Sequence, residues 1–186
     1  FAMANDIAIF DDESTQLQKV FWPGPVTFVL PLKKNSRISE LTTAGLNTVA
    51  VRFPRSKVAQ SILLAANTPI AAPSANLSGK ISPTSVDRVS EHLNGKIDAI
   101  LDGGLSEIGL ESTVIKTNPI RILRPGSITT QNIEKITGTK VSIDAGETAI
   151  SAPGQLKSHY APLSNLRLNA NDRESNELLL GFGNIP

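Results

Sequence analysis

The sequence contains no cysteine, two histidines, one tryptophan and one tyrosine in 186 residues. Without cysteine there is no disulfide, no thiolate nucleophile and no Cys-type zinc site. The two histidines, His92 and His159, lie far apart in the chain. A metal centre built from protein side chains is therefore not expected. Charge of either sign is not in excess: 18 basic against 17 acidic residues leave a net charge of +1, which gives no overall pull toward nucleic acid or a membrane. No apolar run approaches the ~20 residues needed to cross a bilayer. No signal-peptide pattern is read in the sequence, and with no cysteine the expected location is the cytoplasm. Neither G-x-x-x-x-G-K-[ST] nor G-x-G-x-x-G occurs, so a nucleotide would have to be held by another kind of loop. No carboxylate pair is spaced as general acid and base, and no nucleophile triad is visible. Any catalysis would rest on positioning and charge stabilisation, without a covalent nucleophile.

What is present is a 40% hydrophobic, 19% charged chain, the composition of a globular domain with a core and room for part of a second domain. Helical and strand patterns alternate. Asp12 to Trp22 places Leu17, Val20 and Phe21 on one helical face, and Pro23-Gly24-Pro25 ends it. Val26–Leu30 and Thr48–Phe53 read as strands. Ser56 caps a helix through Ala66. Pro69–Ala72 reads as a short buried strand, and Ser82-Pro83 as a helix start running to Gly95. Ile97–Leu101, Ser112–Lys116 and Arg121–Leu123 read as three further strands, and Ser127–Gly138 as a last helix. Six strands alternating with four helices predict an α/β domain.

The division expected is a domain over 1–141, a polar linker over 142–163 and the opening of a second α/β domain over 164–186. Leu166–Leu168 and Leu178–Phe182 would be its first strands. A start at Phe1 and an end at GFGNIP read as parts of a longer protein.

The densest polar segment is Ala66–Thr84, with Ser74, Asn76, Ser78, Lys80 and Ser82 between Pro73 and Pro83. Ligands of open α/β sheets sit in such loops at the carboxyl ends of strands. Its hydroxyls, backbone N–H groups and a helix dipole near Ser82 suit an anion. The same residues equally suit a helix-capping loop. Arg52 and Arg124 each end a strand. On one sheet edge they would converge on a carboxylate or phosphate; singly, each reads as a surface arginine packed on the sheet. In Glu111-Ser112-Thr113, ahead of a strand, the hydroxyls read either as orienting a small polar ligand or as a strand-edge polar pair. His92 reads as solvated. His159-Tyr160 reads either as part of a lid or as a docking contact.

Taken in order, FWPGPVTFVLP (21–31), TVAVRFP (48–54), TPIAAPSANLSGKISPT (68–84), ESTVI (111–115) and RILRPG (121–126) resemble the threonylcarbamoyl-AMP synthase family, built on a YrdC-like domain. APGQLKSHYAP (152–162) resembles the linker of its two-domain members. The resemblance implies a twisted, open, mixed α/β sheet with a concave, positively charged cavity. It implies formation of threonylcarbamoyl-adenylate and pyrophosphate from L-threonine, bicarbonate and ATP, with Mg²⁺ bridging phosphates. A tRNA threonylcarbamoyl transferase complex would consume the product, and contact with tRNA or double-stranded RNA would follow. Carried over by residue, Thr48, Ser74, Asn76, Ser82 and Arg124 would contact ATP. Arg52, Ser112 and the Ala72 backbone would hold threonine, and His159 and Tyr160 would close over the nucleotide.

Two features depart from the family pattern. Its K-G-R-P-like element and opening strands are absent from the sequence, and a polypeptide lacking them is expected to have little synthase activity. Gln155–Ser158 replace the usual Met and basic-aromatic residues before His159, so closure is expected to differ in detail. The competing expectation is a non-catalytic RNA-binding translation or ribosome-maturation factor on the same fold. Against it stand the near-neutral charge and the 4% aromatic content. A carbamoyl-transfer enzyme on a related domain is a third reading, disfavoured by the two-domain linker.

Overall fold

The computed structural model of the chain describes residues 1–144, 164–170 and 172–181. Five strands form one mixed sheet: β1 (Val26–Pro31), β2 (Thr48–Arg52), β3 (Thr113–Lys116), β4 (Arg121–Arg124) and β5 (Ser142–Ile143), in the order β2-β1-β3-β4-β5. β1 is antiparallel to β2 and parallel to β3, while β4 is antiparallel to β3 and parallel to β5. The mixed α/β architecture expected from the sequence is the one the chain adopts.

Among the described residues six helices accompany the sheet: α1 (Ala2–Ile7), α2 (Asp12–Phe21), α3 (Glu40–Thr43), α4 (Lys57–Ala66), α5 (Val86–Leu93) and α6 (Thr130–Thr137). Side chains alternate across a strand, so the two faces can be separated residue by residue. Phe28, Leu30, Val49, Val51, Ile115 and Ile122 point to one face, where Leu17 of α2 and Ile133 of α6 complete the main core. Phe10, Trp22 and Phe28 meet edge to face there, and the Trp22 indole N–H donates to the Val26 carbonyl at 2.8 Å. The opposite face carries only a small buried cluster, Val29, Val114 and Leu123. β1 buries four of its six residues, Val26, Phe28 and Leu30 on the core face and Val29 on the other, so it lacks the strict alternation of a one-sided strand.

Asp11 ties the start of α2 to the β3–β4 turn. Its carboxylate accepts from the Ser14 N–H and hydroxyl, each at 2.7 Å, and from the Thr117 hydroxyl at 2.6 Å. Burial raises its pKa, but these hydrogen bonds outweigh it and leave the pKa below the ordinary 3.8. A depressed carboxylate contributes stability that is complete above the unfolded value and lost as pH falls through the folded one. Asp11→Ala is expected to cost about 1–2 kcal/mol at pH 7 and clearly less at pH 2, read from urea midpoints. An equal cost at both pH values would contradict this role.

Several sequence expectations need correction. Pro69–Ala72 and Ile97–Leu101 form no strand; Ile70 is 46% and Leu101 65% exposed. Their apolar runs have the composition of strands. However, strand formation requires a ladder partner elsewhere in the chain, and none of the described residues supplies one. The helix expected from Ser82-Pro83 begins at Val86 instead, with Ser85 as N-cap. Val20 is 58% exposed and does not share the buried face of Leu17. α1, α3 and β5 were not anticipated; α3 and β5 have only four and two residues, too few for a periodic signal. Residues 164–170 and 172–181 contain turns but no strand, so the strands expected at Leu166–Leu168 and from Leu178 are not formed there.

Candidate functional site

The sheet register places the two strand-end arginines on one line. Arg52 of β2 lies opposite Thr27 of β1, Thr27 opposite Val114 of β3, and Val114 opposite Arg124 of β4. They occupy the less covered face of the sheet, roughly 14 Å apart at the backbone by strand spacing. A β-bulge at Leu123 shifts the β3–β4 register and brings Arg124 beside Val114. Each long side chain is anchored on a backbone carbonyl at that end of the sheet. The Arg52 Nε donates to the Gly24 carbonyl at 3.0 Å. Arg124 donates from Nε and Nη2 to the Ser112 carbonyl at 3.2 and 3.1 Å, and from Nη2 to the Ser112 hydroxyl at 3.0 Å. The two anchor points are neighbours, because the Thr113 N–H donates to the Pro25 carbonyl at 2.9 Å.

Hydroxyls and one carboxylate fill the space between. Ser112 Oγ lies 2.8 Å from Thr27 Oγ1. Glu111 accepts from the Ser82 hydroxyl, and its Oε2 lies 3.7 Å from Arg124 Nη2. Desolvation pulls the Arg52 pKa below the ordinary arginine value; the Glu111 charge opposes that shift and the Arg124 charge adds to it. Arg52 nevertheless keeps an exposed surface. Thr113 is fully buried and structural: its hydroxyl donates to the Ile128 carbonyl at 2.9 Å and accepts from the Ile128 N–H at 3.0 Å.

The site residues expected from sequence divide into three groups. Arg52, Ser112, Arg124 and Ser82 are brought together. Thr48 shares the face of Arg52 but stands at the opposite end of β2, opposite Pro31 and ~13 Å away by strand rise. Ala72 and Ser74 are exposed, and among the described residues no hydrogen bond ties them to the arginines. Asn76 donates within its own loop, to the carbonyls of Leu77 at 2.8 Å and Lys80 at 3.0 Å. His159 and Tyr160 lie outside the described residues. The helix dipole expected at Ser82 is not there, since α5 starts four residues later; Glu111, not a helix end, holds Ser82. His92, read as solvated, is half-buried, with an Nδ1 that has no partner among the described residues.

Thr27, Gly24 and the carboxylate of Glu111 were not anticipated. Only Glu111 left a signal, as an acidic residue directly before a hydroxyl pair at a strand start. Chemically, two guanidiniums, two hydroxyls and an open sheet face can receive a small carboxylate beside a phosphate. Among the described residues no group of three His, Asp or Glu could hold a metal ion, and no helix is long and apolar enough to cross a membrane.

Comparison with known proteins gives the same direction. Residues 1–126 match the model of the Sua5, YciO and YrdC family, described under the heading telomere recombination. Residues 128–181 match the model of the threonylcarbamoyl-AMP synthase C-terminal domain. A threonylcarbamoyl-AMP synthase of Pyrococcus abyssi is 46% identical over 158 residues, which cover 81% of this chain and 46% of that protein. One of Bacillus subtilis is 44% identical over 165 residues, 84% of this chain and 46% of that protein. The chain thus spans under half the length of these curated relatives. The crystal structure of P. abyssi Sua5 complexed with L-threonine superimposes with a TM-score of 0.81 at 43% identity, over 87% of this chain and 49% of that one.

Proposed function

Because the chain belongs to the Sua5, YciO and YrdC family, we propose that it forms threonylcarbamoyl-adenylate from L-threonine, bicarbonate and ATP. The observation that carries the reading is the line Arg52–Thr27–Val114–Arg124, with Ser112 bonded to both Thr27 and Arg124. Arg52 pairs with the threonine carboxylate, and Ser112 and the Ala72 backbone hold its polar groups. Arg124 and Ser82 receive the nucleotide phosphates, while Thr48, Ser74 and Asn76 contact the rest of ATP. The L-threonine in the P. abyssi complex supports an amino-acid site on this fold.

Protonated bicarbonate loses water to give carbon dioxide; the neutral threonine amine adds to its carbon and gives up one proton to solvent, leaving a carbamate. A carbamate oxygen then attacks the α-phosphorus of ATP, and pyrophosphate leaves. No side chain forms a covalent bond. This chain's residues orient the two reactants and offset negative charge at the phosphates. Mg²⁺ would be held mainly by the nucleotide phosphates, where it would offset their charge.

The product would pass to a tRNA threonylcarbamoyl transferase complex and serve tRNA modification in the cytoplasm. α6 belongs with the sheet domain, because Ile133 is buried in its core and Gln16 of α2 donates to the Ile136 carbonyl at 2.7 Å. That, with β5 at Ser142–Ile143 in the sheet, extends the first domain slightly past the expected boundary at 141; a linker up to 163 and a second domain from 164 remain part of the proposal.

The test is pyrophosphate release from ATP by the full-length protein. Release is expected only when L-threonine and bicarbonate are both present. Release that ignores either substrate, or none above background in folded protein, would sink the reading.

A further inference from the structure

We infer that Glu111 is a positioning residue: its carboxylate joins the Ser82 loop to Arg124 and holds both anion-binding groups in place. The inference rests on the phosphate role of Ser82 and Arg124 proposed above. Ser82 and Glu111 are 29 residues apart, and the loop carrying Ser82 has no strand ladder to fix it to the sheet. Among the described residues, the hydroxyl bond to Glu111 is the side-chain hydrogen bond that joins that loop to the segment leading into β3. The same carboxylate faces Arg124 at 3.7 Å, with the two side chains only 33% and 16% exposed. Arg124 in turn spends both Nε and Nη2 on Ser112. A carboxylate on one side and a carbonyl on the other leave the guanidinium little freedom to swing away. Glu111 also offsets the repulsion between Arg124 and Arg52, which otherwise meet across a half-desolvated site.

Positioning and simple electrostatics predict opposite signs. A carboxylate next to two arginines repels an incoming anion, so its mere removal should tighten anion binding. If Glu111 positions Ser82 and Arg124, Glu111→Ala should weaken the binding of inorganic pyrophosphate despite the gain in positive charge. The loss expected is about tenfold, the scale of one charge-assisted hydrogen bond. Glu111→Gln keeps an oxygen that can accept from Ser82 and should recover most of that affinity.

Calorimetric titration of the full-length protein with pyrophosphate reads this. Equal or tighter binding by Glu111→Ala overturns the inference, as does a Glu111→Gln variant no better than Glu111→Ala. A second readout is independent of ligand: hydrogen exchange of the Arg124 Nε–H, followed by NMR. It should accelerate at least tenfold in Glu111→Ala and remain near wild type in Glu111→Gln. An unchanged rate overturns the inference even if the wild-type enzyme is active. Absent pyrophosphate release by the wild type, with accelerated exchange in the variant, overturns the synthase reading and leaves the positioning role standing.

Discussion

Arg124→Ala is expected to lower ATP affinity on the order of 10²-fold or more and to destabilise the fold by about 1–3 kcal/mol. The two losses have different origins. The affinity loss comes from the guanidinium that would face the phosphates. The stability loss comes from the Ser112 carbonyl, which gives up two donors in a residue only 5% exposed, and from Glu111, which gives up its cation. Arg124→Lys should rescue little of either. An ammonium on a flexible stem cannot make the paired contact from Nε and Nη2 that the planar fork makes. Ser74→Ala is the useful contrast. Ser74 is exposed and bonds to nothing in the cluster, so its removal should leave thermal stability unchanged and weaken ATP by less than Arg124→Ala. Calorimetry with ATP and thermal denaturation separate the terms. Full stability loss with unchanged ATP affinity would make Arg124 a structural tie between β3 and β4 and remove it from the nucleotide site.

The convergence of Arg52 and Arg124 shows what sequence could and could not supply. That each arginine ends a strand was readable from the apolar runs TVAV and IL before them. That both lie on the same line depends on the register of three strand pairs and on a bulge at Leu123, which no local pattern encodes. Helices with strong local signals came out within a few residues: α2 with its Pro23-Gly24-Pro25 stop, α4 with its Ser56 cap, and α6 ending at Gly138 in the left-handed region. The false helix start at Ser82-Pro83 has a tertiary cause. The Ser82 hydroxyl that could have capped a helix donates to Glu111, 29 residues away, and Ser85 takes the cap position instead. Pro69–Ala72 and Ile97–Leu101 failed for a related reason: apolar composition was visible, a ladder partner was not.

Gly126→Ala is expected to reduce turnover about 10²-fold, because it separates the two segments that build the arginine end of the site. The segment Arg124-Pro125-Gly126 packs directly on Glu111-Ser112-Thr113. A Cβ on Gly126 would lie 2.5 Å from the Glu111 carbonyl oxygen, 2.5 Å from the Thr113 nitrogen and 2.7 Å from the Thr113 hydroxyl. Two of these are backbone atoms of a segment held by β3, so neither can rotate aside as a flexible side chain would. The segments must part by about 0.5–1 Å to reach ordinary contact distances. That shift acts on the Arg124–Ser112 bonds, already 3.0–3.2 Å long, and on the Thr113–Ile128 pair that anchors the start of α6. Overpacking of this kind costs about 1–3 kcal/mol. Stability loss alone could also lower activity, so a second glycine serves as the control. Gly138 sits at φ +71 with open space around its Cβ position, at the far end of α6. Gly138→Ala should cost about 1–2 kcal/mol through backbone strain and leave kcat/KM near wild type when assayed well below its Tm. Matched losses of stability with turnover lost only in Gly126→Ala would assign that loss to displacement of Arg124 and Ser112. Equal turnover in the two variants would mean that the close packing of RPG on EST serves the fold and not the reaction.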